Sequence, residues 1–340
     1  MSTGLLEIPR FCFSDLPEDL CRLVFELVAE SDPETGRSCA LVSKEVNAWI
    51  EPILYRTLII QSEAQLESLR RIVEDTNQID SSSTKSTDFF ATYVKVVAIV
   101  TLRSDAANAL SVLKACPNVE ILVLWSNPNK LEAGGASPYG TLAKDLRDLR
   151  DFITSPKLSP RRISMFHHIL TTSEVHFSHP IFQNVTHLEL VRVDSKAGWE
   201  TLRSLPCLTH VSAHCLSSLE GCGQWTREAM DLFPPTLRVF IVWFYPDLCF
   251  ENTHAEFEGV KAIQDGDIDS RAVVAYMGSS LLSSWDLHPI LRLYKDIIED
   301  WIGCSVGKDF WTLAEEFIEE RHRRRELQAS LGSALLYFAN

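Results

Sequence analysis

A chain of 340 residues, 46% hydrophobic and 23% charged, has the make-up of a globular protein that can hold a small module and one substantial core. Its net charge of −14 excludes a general nucleic-acid binder, which needs a basic surface. No run reaches the roughly 18–20 uninterrupted apolar residues of a membrane helix.

In chain order, Ser14 to Ile60 reads as three short helices. Pro17 suits the first position of a helix. Leu20, Leu23, Val24, Leu27 and Val28 then fall on one face at helical spacing. Asp32 before Pro33 starts the second helix. Ser43 caps the third, whose stripe is Val46, Trp49, Ile50, Ile53 and Leu54, with a kink expected at Pro52. Three helices this short cannot bury all their stripes against one another, so apolar surface is left for a partner.

Leu16-Pro17-x-x-Leu20, the Leu23-Val24-x-x-Leu27 run, Leu41-Val42-Ser43-Lys44 and Leu54-Tyr55-Arg56 together resemble an F-box of the form common among fungal proteins. Trp49 departs from that pattern, standing five residues after Lys44 where the family places it within two or three. The resemblance implies a three-helix module over 12–60 that docks on a Skp-type adaptor and so joins a cullin-based ubiquitin ligase. It assigns adaptor binding to Leu16, Pro17, Leu20, Leu23, Val24 and Leu27.

A helix carrying Leu66, Leu69, Ile72 and Val73 and a polar loop over 81–87 come next. After them an apolar-x-x-apolar-x-apolar frame recurs: Val94, Val97, Ile99; Val119, Leu122, Leu124; Val185, Leu188, Leu190; Leu208, Val211, Ala213; Leu237, Phe240, Val242. Helical stripes lie between, among them Ala106, Leu110, Leu113; Trp199, Leu202, Leu205; and Trp225, Ala229, Leu232. Adjacent frames begin 25, 23 and 29 residues apart, the period of leucine-rich repeats, although the consensus Asn is absent. A divergent unit fills the gap after Leu124, with a loop at Asn127–Gly140, a helix through Leu142, Leu146, Leu149 and Ile153, and a weak strand at Arg162–Phe166. A helix at Phe257–Ile263 leads to a last strand at Ala272–Met277. Two helical stripes follow, Ile290, Tyr294, Ile297, Ile298, Trp301 and then Phe310, Leu313, Ala314, Phe317, Ile318. They are expected to cap the final repeat. A doubly wound sheet would bring a glycine-rich loop after its first strand, and Arg103-Ser104-Asp105-Ala106 has none.

Motifs of chemistry are sparse. Gly303 to Lys308 has three residues between its glycines where a phosphate-binding loop needs four, and it reads as a helix–helix turn. His210, His214, Cys215 and Cys222, and the group His167, His168, His176 and His179, match no zinc spacing. No Gly-x-Ser-x-Gly elbow is present. The nine cysteines form no CxxC and read as reduced thiols of an intracellular protein. The N-terminus lacks the blocks of a signal peptide, which places the chain in the cytoplasm and/or nucleus. Arg321-His322-Arg323-Arg324-Arg325 reads as a solvated helix end whose cations suit the C-terminal dipole.

The fold expected is α/β: a three-helix F-box-like module at 12–60, leucine-rich-like strand–helix repeats with a parallel sheet at 61–280, and a helical cap at 281–340. The function implied is that of a non-catalytic substrate receptor, with no cofactor, metal, nucleic acid or membrane. Its partners are the Skp-type adaptor with its cullin complex and a protein substrate. The alternative keeps the fold as an interaction scaffold with no ligase role. Residues alternating with the frame line the concave sheet face. Trp125, His187, Glu189, His210, Ser212, His214 and Trp243 are expected there as an open substrate groove.

Overall fold

A computed structural model describes residues 16–77, 85–100, 106–125, 139–166, 177–193, 198–215, 221–244, 254–277, 290–303 and 307–338. Helices α1 (Glu18–Ser31), α2 (Pro33–Cys39) and α3 (Lys44–Leu54) form at the expected places. Asp32 accepts from the Glu34 amide at 3.0 Å and Ser43 from the Val46 amide at 3.1 Å. Each supplies an acceptor to a helix start that would otherwise leave its amides unpaired. Pro17 stands one place ahead of α1, at its N-cap.

Nine strands follow in one parallel sheet, ordered β1 to β9 as they occur in the chain. They are β1 (Thr57–Ile60), β2 (Val96–Ile99), β3 (Ile121–Leu124), β4 (Arg162–Phe166), β5 (His187–Val193), β6 (His210–Cys215), β7 (Val239–Phe244), β8 (Ala272–Met277) and β9 (Ile290–Arg292). Every frame residue is buried, and the register stacks them in rows. Val97 pairs with Leu122 and Leu122 with Ile163; Leu188 pairs with Val211 and Val211 with Phe240. The apolar frame is thus the inner surface of a helix-covered sheet.

The covering layer holds α4 (Glu63–Asn77), α5 (Phe89–Tyr93), α6 (Ala106–Ala115), α7 (Tyr139–Ile153), a 3-10 turn at Trp199–Ser204, α8 (Cys222–Met230) and α9 (His254–Asp265). The frame's Phe240 meets Trp225 of α8 at 6.0 Å and Phe233 at 4.8 Å, and Trp199 meets Trp225 at 5.6 Å. Two strands were not expected. β1 lies inside the range assigned to the helical module. β9 begins at Ile290, which the helical stripe had claimed, so the sheet runs from 57 to 292. The Asn127–Gly140 loop falls almost wholly outside the described residues, as do His167, His168 and His176.

The C-terminal helices α10 (Tyr294–Ile302) and α11 (Phe310–Phe338) are not confined to the last repeat. They lie across the sheet face opposite the helix layer. Tyr294 packs on Trp125 beside β3 at 5.3 Å, Trp311 on His187 and His210 of β5 and β6 at 5.2 and 5.5 Å, and Phe310 on Trp243 of β7 at 5.4 Å. The molecule is therefore three layers deep, helices, sheet and two further helices, because both faces of the sheet carry apolar residues.

The basic run is also placed differently from expectation. α11 continues to Phe338, so Arg321 lies inside the helix, and it is buried. Its guanidinium donates to the carbonyls of Ile263, Gln264, Ser270 and Ala272, the turn that joins α9 to β8. Arg325 adds bonds to the Asp265 carbonyl and, at 2.7 Å, to Asp267. Gly266 sits beneath with a φ of +74°, and a Cβ there would come within 2.8 Å of the Arg321 guanidinium. Only glycine suits both the backbone angle and the close approach. Arg321→Ala would strip those buried carbonyls of charged donors, and stability to chemical denaturation should fall by at least about 2 kcal/mol.

Candidate functional site

Two arrangements of side chains stand out, one exposed and one enclosed. The first is the outer face of the three-helix module. Its own small core is Ala29, Val46 and Ile50, with Phe25, Trp49, Ile53 and Leu54 packed around them. Phe25 and Trp49 lie 6.4 Å apart. Helices α1 and α2 approach closely at Gly36, where a Cβ would meet the Ala29 Cα at 2.9 Å. The inward side of α1 is therefore Cys21, Phe25 and Ala29, one aromatic ring between two small residues at spacing i, i+4, i+8.

The stripe read from the sequence points the other way. Leu20, Leu23, Val24 and Leu27 are exposed, as is Pro17, while Leu16 is half-buried. On the turn between α2 and α3, Leu41 is 87% exposed and Val42 65%. Six of the fourteen exposed large apolar side chains among the described residues thus fall between positions 20 and 42. That concentration exceeds the scatter of single apolar residues that surfaces usually carry. The module is tied to the sheet at its far end. Lys85 pairs with Glu51 of α3 and lies 4.8 Å over the Tyr55 ring, which packs on Phe89 and Phe90 of α5.

The second arrangement is the one expected as an open groove, and the structure closes it. Glu189, Ser212, His214 and Trp243 are enclosed between the sheet and the C-terminal helices, with Trp125 and His210 nearly so, while His187 is half-buried. Their polar atoms satisfy one another. Ser164 and Ser212 both donate to Glu189, the latter at 3.2 Å, and His214 Nε2 lies 3.0 Å from Glu189 Oε1. The indole N–H of Trp125 donates to Ser164 at 2.7 Å and that of Trp243 to Ser212 at 2.6 Å. Each serine proton is spent on the carboxylate. The cluster ties three neighbouring strands together, and its hydroxyls are sealed from solvent. The histidines have internal partners: His214 reaches Glu189, His210 reaches Glu315, and His187 Nδ1 lies 2.8 Å from Thr186 Oγ1.

At the start of the same strands, Arg162, His187 and His210 stand in register across β4, β5 and β6. The two imidazoles stack at 4.2 Å, tilted by 4°. His210 Nε2 faces Glu315 Oε1 at 3.2 Å, and Arg162 reaches Asp309 at 3.4 Å. Burial, then the neighbouring His210 and Arg162, pushes the His187 imidazole down to about 2. Burial likewise lowers His210, against the pull of Glu315. Partial desolvation against the sheet, then the nearby Glu189, raises Tyr294 to about 12, although half of the residue stays exposed.

Among the described residues no group of histidine, cysteine and acidic side chains is arranged to hold a metal ion, and no helix is long and apolar enough to cross a membrane. The sequence matches no protein-family model and no curated protein.

Proposed function

We propose that this chain is a non-catalytic substrate-receptor subunit of a cullin-based ubiquitin ligase. Helices α1–α3 serve as an F-box-like module that docks on a Skp-type adaptor. The strand–helix array is a degenerate leucine-rich-like solenoid that presents a protein substrate. The observation that carries the reading is the outward apolar face. A module with a complete core of its own still turns Leu20, Leu23, Val24 and Leu27 to solvent and adds Leu41 and Val42 beside them. These are residues of the motifs on which the resemblance to an F-box rests.

If α1–α3 were only an end cap of a scaffold, the apolar stripe of α1 would be expected to lie against the array. Its exposure favours a separate partner. The enclosed concave residues give the substrate no position on that face, so the substrate contacts belong on surfaces that remain open. Co-expression with a Skp-type adaptor tests the reading. The two proteins should co-elute as a complex through size-exclusion chromatography, and separate elution would leave only the scaffold.

A further inference from the structure

We propose that the stacked His187–His210 pair is an acid-sensitive latch that holds the C-terminal helices α10 and α11 against the sheet. The rings lie face to face at 4.2 Å, and Trp311 in the first turn of α11 meets both edge-on. Thr186 and Thr209 hold the Nδ1 atoms at 2.8 Å each, which fixes the ring planes. Neither ring can turn away from the other while the helix is seated.

The charges around the pair leave no place for two protons. From β4 comes Arg162, and from the residue ahead of β7 comes Arg238. α11 contributes Asp309 and Glu315. Asp309 is engaged by Arg162 at 3.4 Å, and Glu315 by Arg238 at 3.0 Å as well as by His210. Glu189, further along β5, is already held by Ser164, Ser212 and His214. A proton on His210 would have Glu315 beside it, but a proton on His187 would face His210 and Arg162. Closed, the latch keeps His187 neutral throughout the mildly acid range, in line with its strongly lowered proton affinity.

His187 is half-buried, and lifting the first turns of α11 frees it fully into water, where an imidazole titrates near about 6.5. Only the opened form then takes up the proton, so opening becomes more favourable as pH falls below that value. For one histidine the opening constant rises about 30-fold at pH 5.0 relative to neutral pH. The groups holding α1–α3 and the frame face of the sheet take no part, so the response is local to α11 and the face beneath it. The opened form bares the sheet face bearing Glu189, Ser212 and His214.

Hydrogen exchange of the full chain at pH 7.5 and 5.0, corrected for the intrinsic pH dependence of exchange, tests this. The amides of 311–320 should open about 30-fold more often at pH 5.0. Those of β2 and β3 should not change. His187→Phe keeps a ring under Trp311 but binds no proton, and it should abolish the rise. A rise spread evenly over the chain, no rise, or the same rise in His187→Phe would overturn the latch. Should that variant fail to fold, the ring resonances of His187 in the native protein decide. A ring still neutral at pH 5.0 supports the latch, and one that titrates near 6.5 in the closed form refutes it. The His187→Phe variant keeps every carboxylate, so a rise that survives in it belongs to groups other than His187.

Discussion

Phe310→Ala should cost about 3–5 kcal/mol of stability in chemical denaturation. Phe310 is fully buried where α11 begins, and its ring is boxed by Trp243 at 5.4 Å, Trp301 at 6.3 Å and Trp311 at 4.6 Å. Its amide donates to the buried Asp300 at 3.0 Å, and Asp300 in turn binds Arg292 of β9 at 2.9 Å. The hole left by alanine cannot collapse easily. Trp243 is tied to Ser212, and Trp301 lies beneath the Arg162 guanidinium at 5.5 Å. The loss should therefore sit at the upper end of the range for large-to-small changes. A loss under 1 kcal/mol would mean that α10 and α11 are peripheral to the fold rather than its third layer.

Leu23→Asp combined with Leu27→Asp should lower capture of a Skp-type adaptor by at least about 100-fold, since two carboxylates would be buried in an apolar contact without partners. Both side chains are exposed and outside the small core of the module. Surface changes of this kind usually alter stability by no more than about 0.5 kcal/mol, so the melting temperature should hold. That separation of binding from folding is the informative part. Loss of binding together with loss of the fold would show instead that α1 uses this face internally.

The sheet was legible because its frame repeats a period-two pattern at regular intervals. Even the weak strand at Arg162–Phe166 and the strand at Ala272–Met277 form as read. β1 escaped although Tyr55, Leu58 and Ile60 fit the frame, because it directly follows a helix and Tyr55 also belongs to that helix's closing Leu54-Tyr55-Arg56. β9 escaped because Ile290 stands at helical spacing from Tyr294 and Ile297. On α1 the conspicuous leucines face outward, whereas the core side is built from Phe25 with the small Cys21 and Ala29 on either side, so one large residue stands against four on the outer face.

The closure of the concave face was not legible, because its contacts join residues far apart in sequence. His210 and Glu315 are 105 positions apart, and Arg162 and Asp309 are 147. No local period reports such a pairing. What the sequence did show was a conflict: histidines and a glutamate among valines, each needing either water or a partner. The partners lie on neighbouring strands and on α11. Arg321 was hidden in the same way, as one arginine among four whose carbonyl acceptors lie in a turn some fifty residues earlier.

The proposed role rests on the outward face of α1 and the α2–α3 turn, and calorimetric titration of the purified chain with a purified Skp-type adaptor tests it most directly. One adaptor should bind per chain, with a binding heat capacity change that is clearly negative, the mark of apolar surface leaving water. Titration without binding, or binding that persists undiminished when Leu23 and Leu27 are both aspartate, would contradict it.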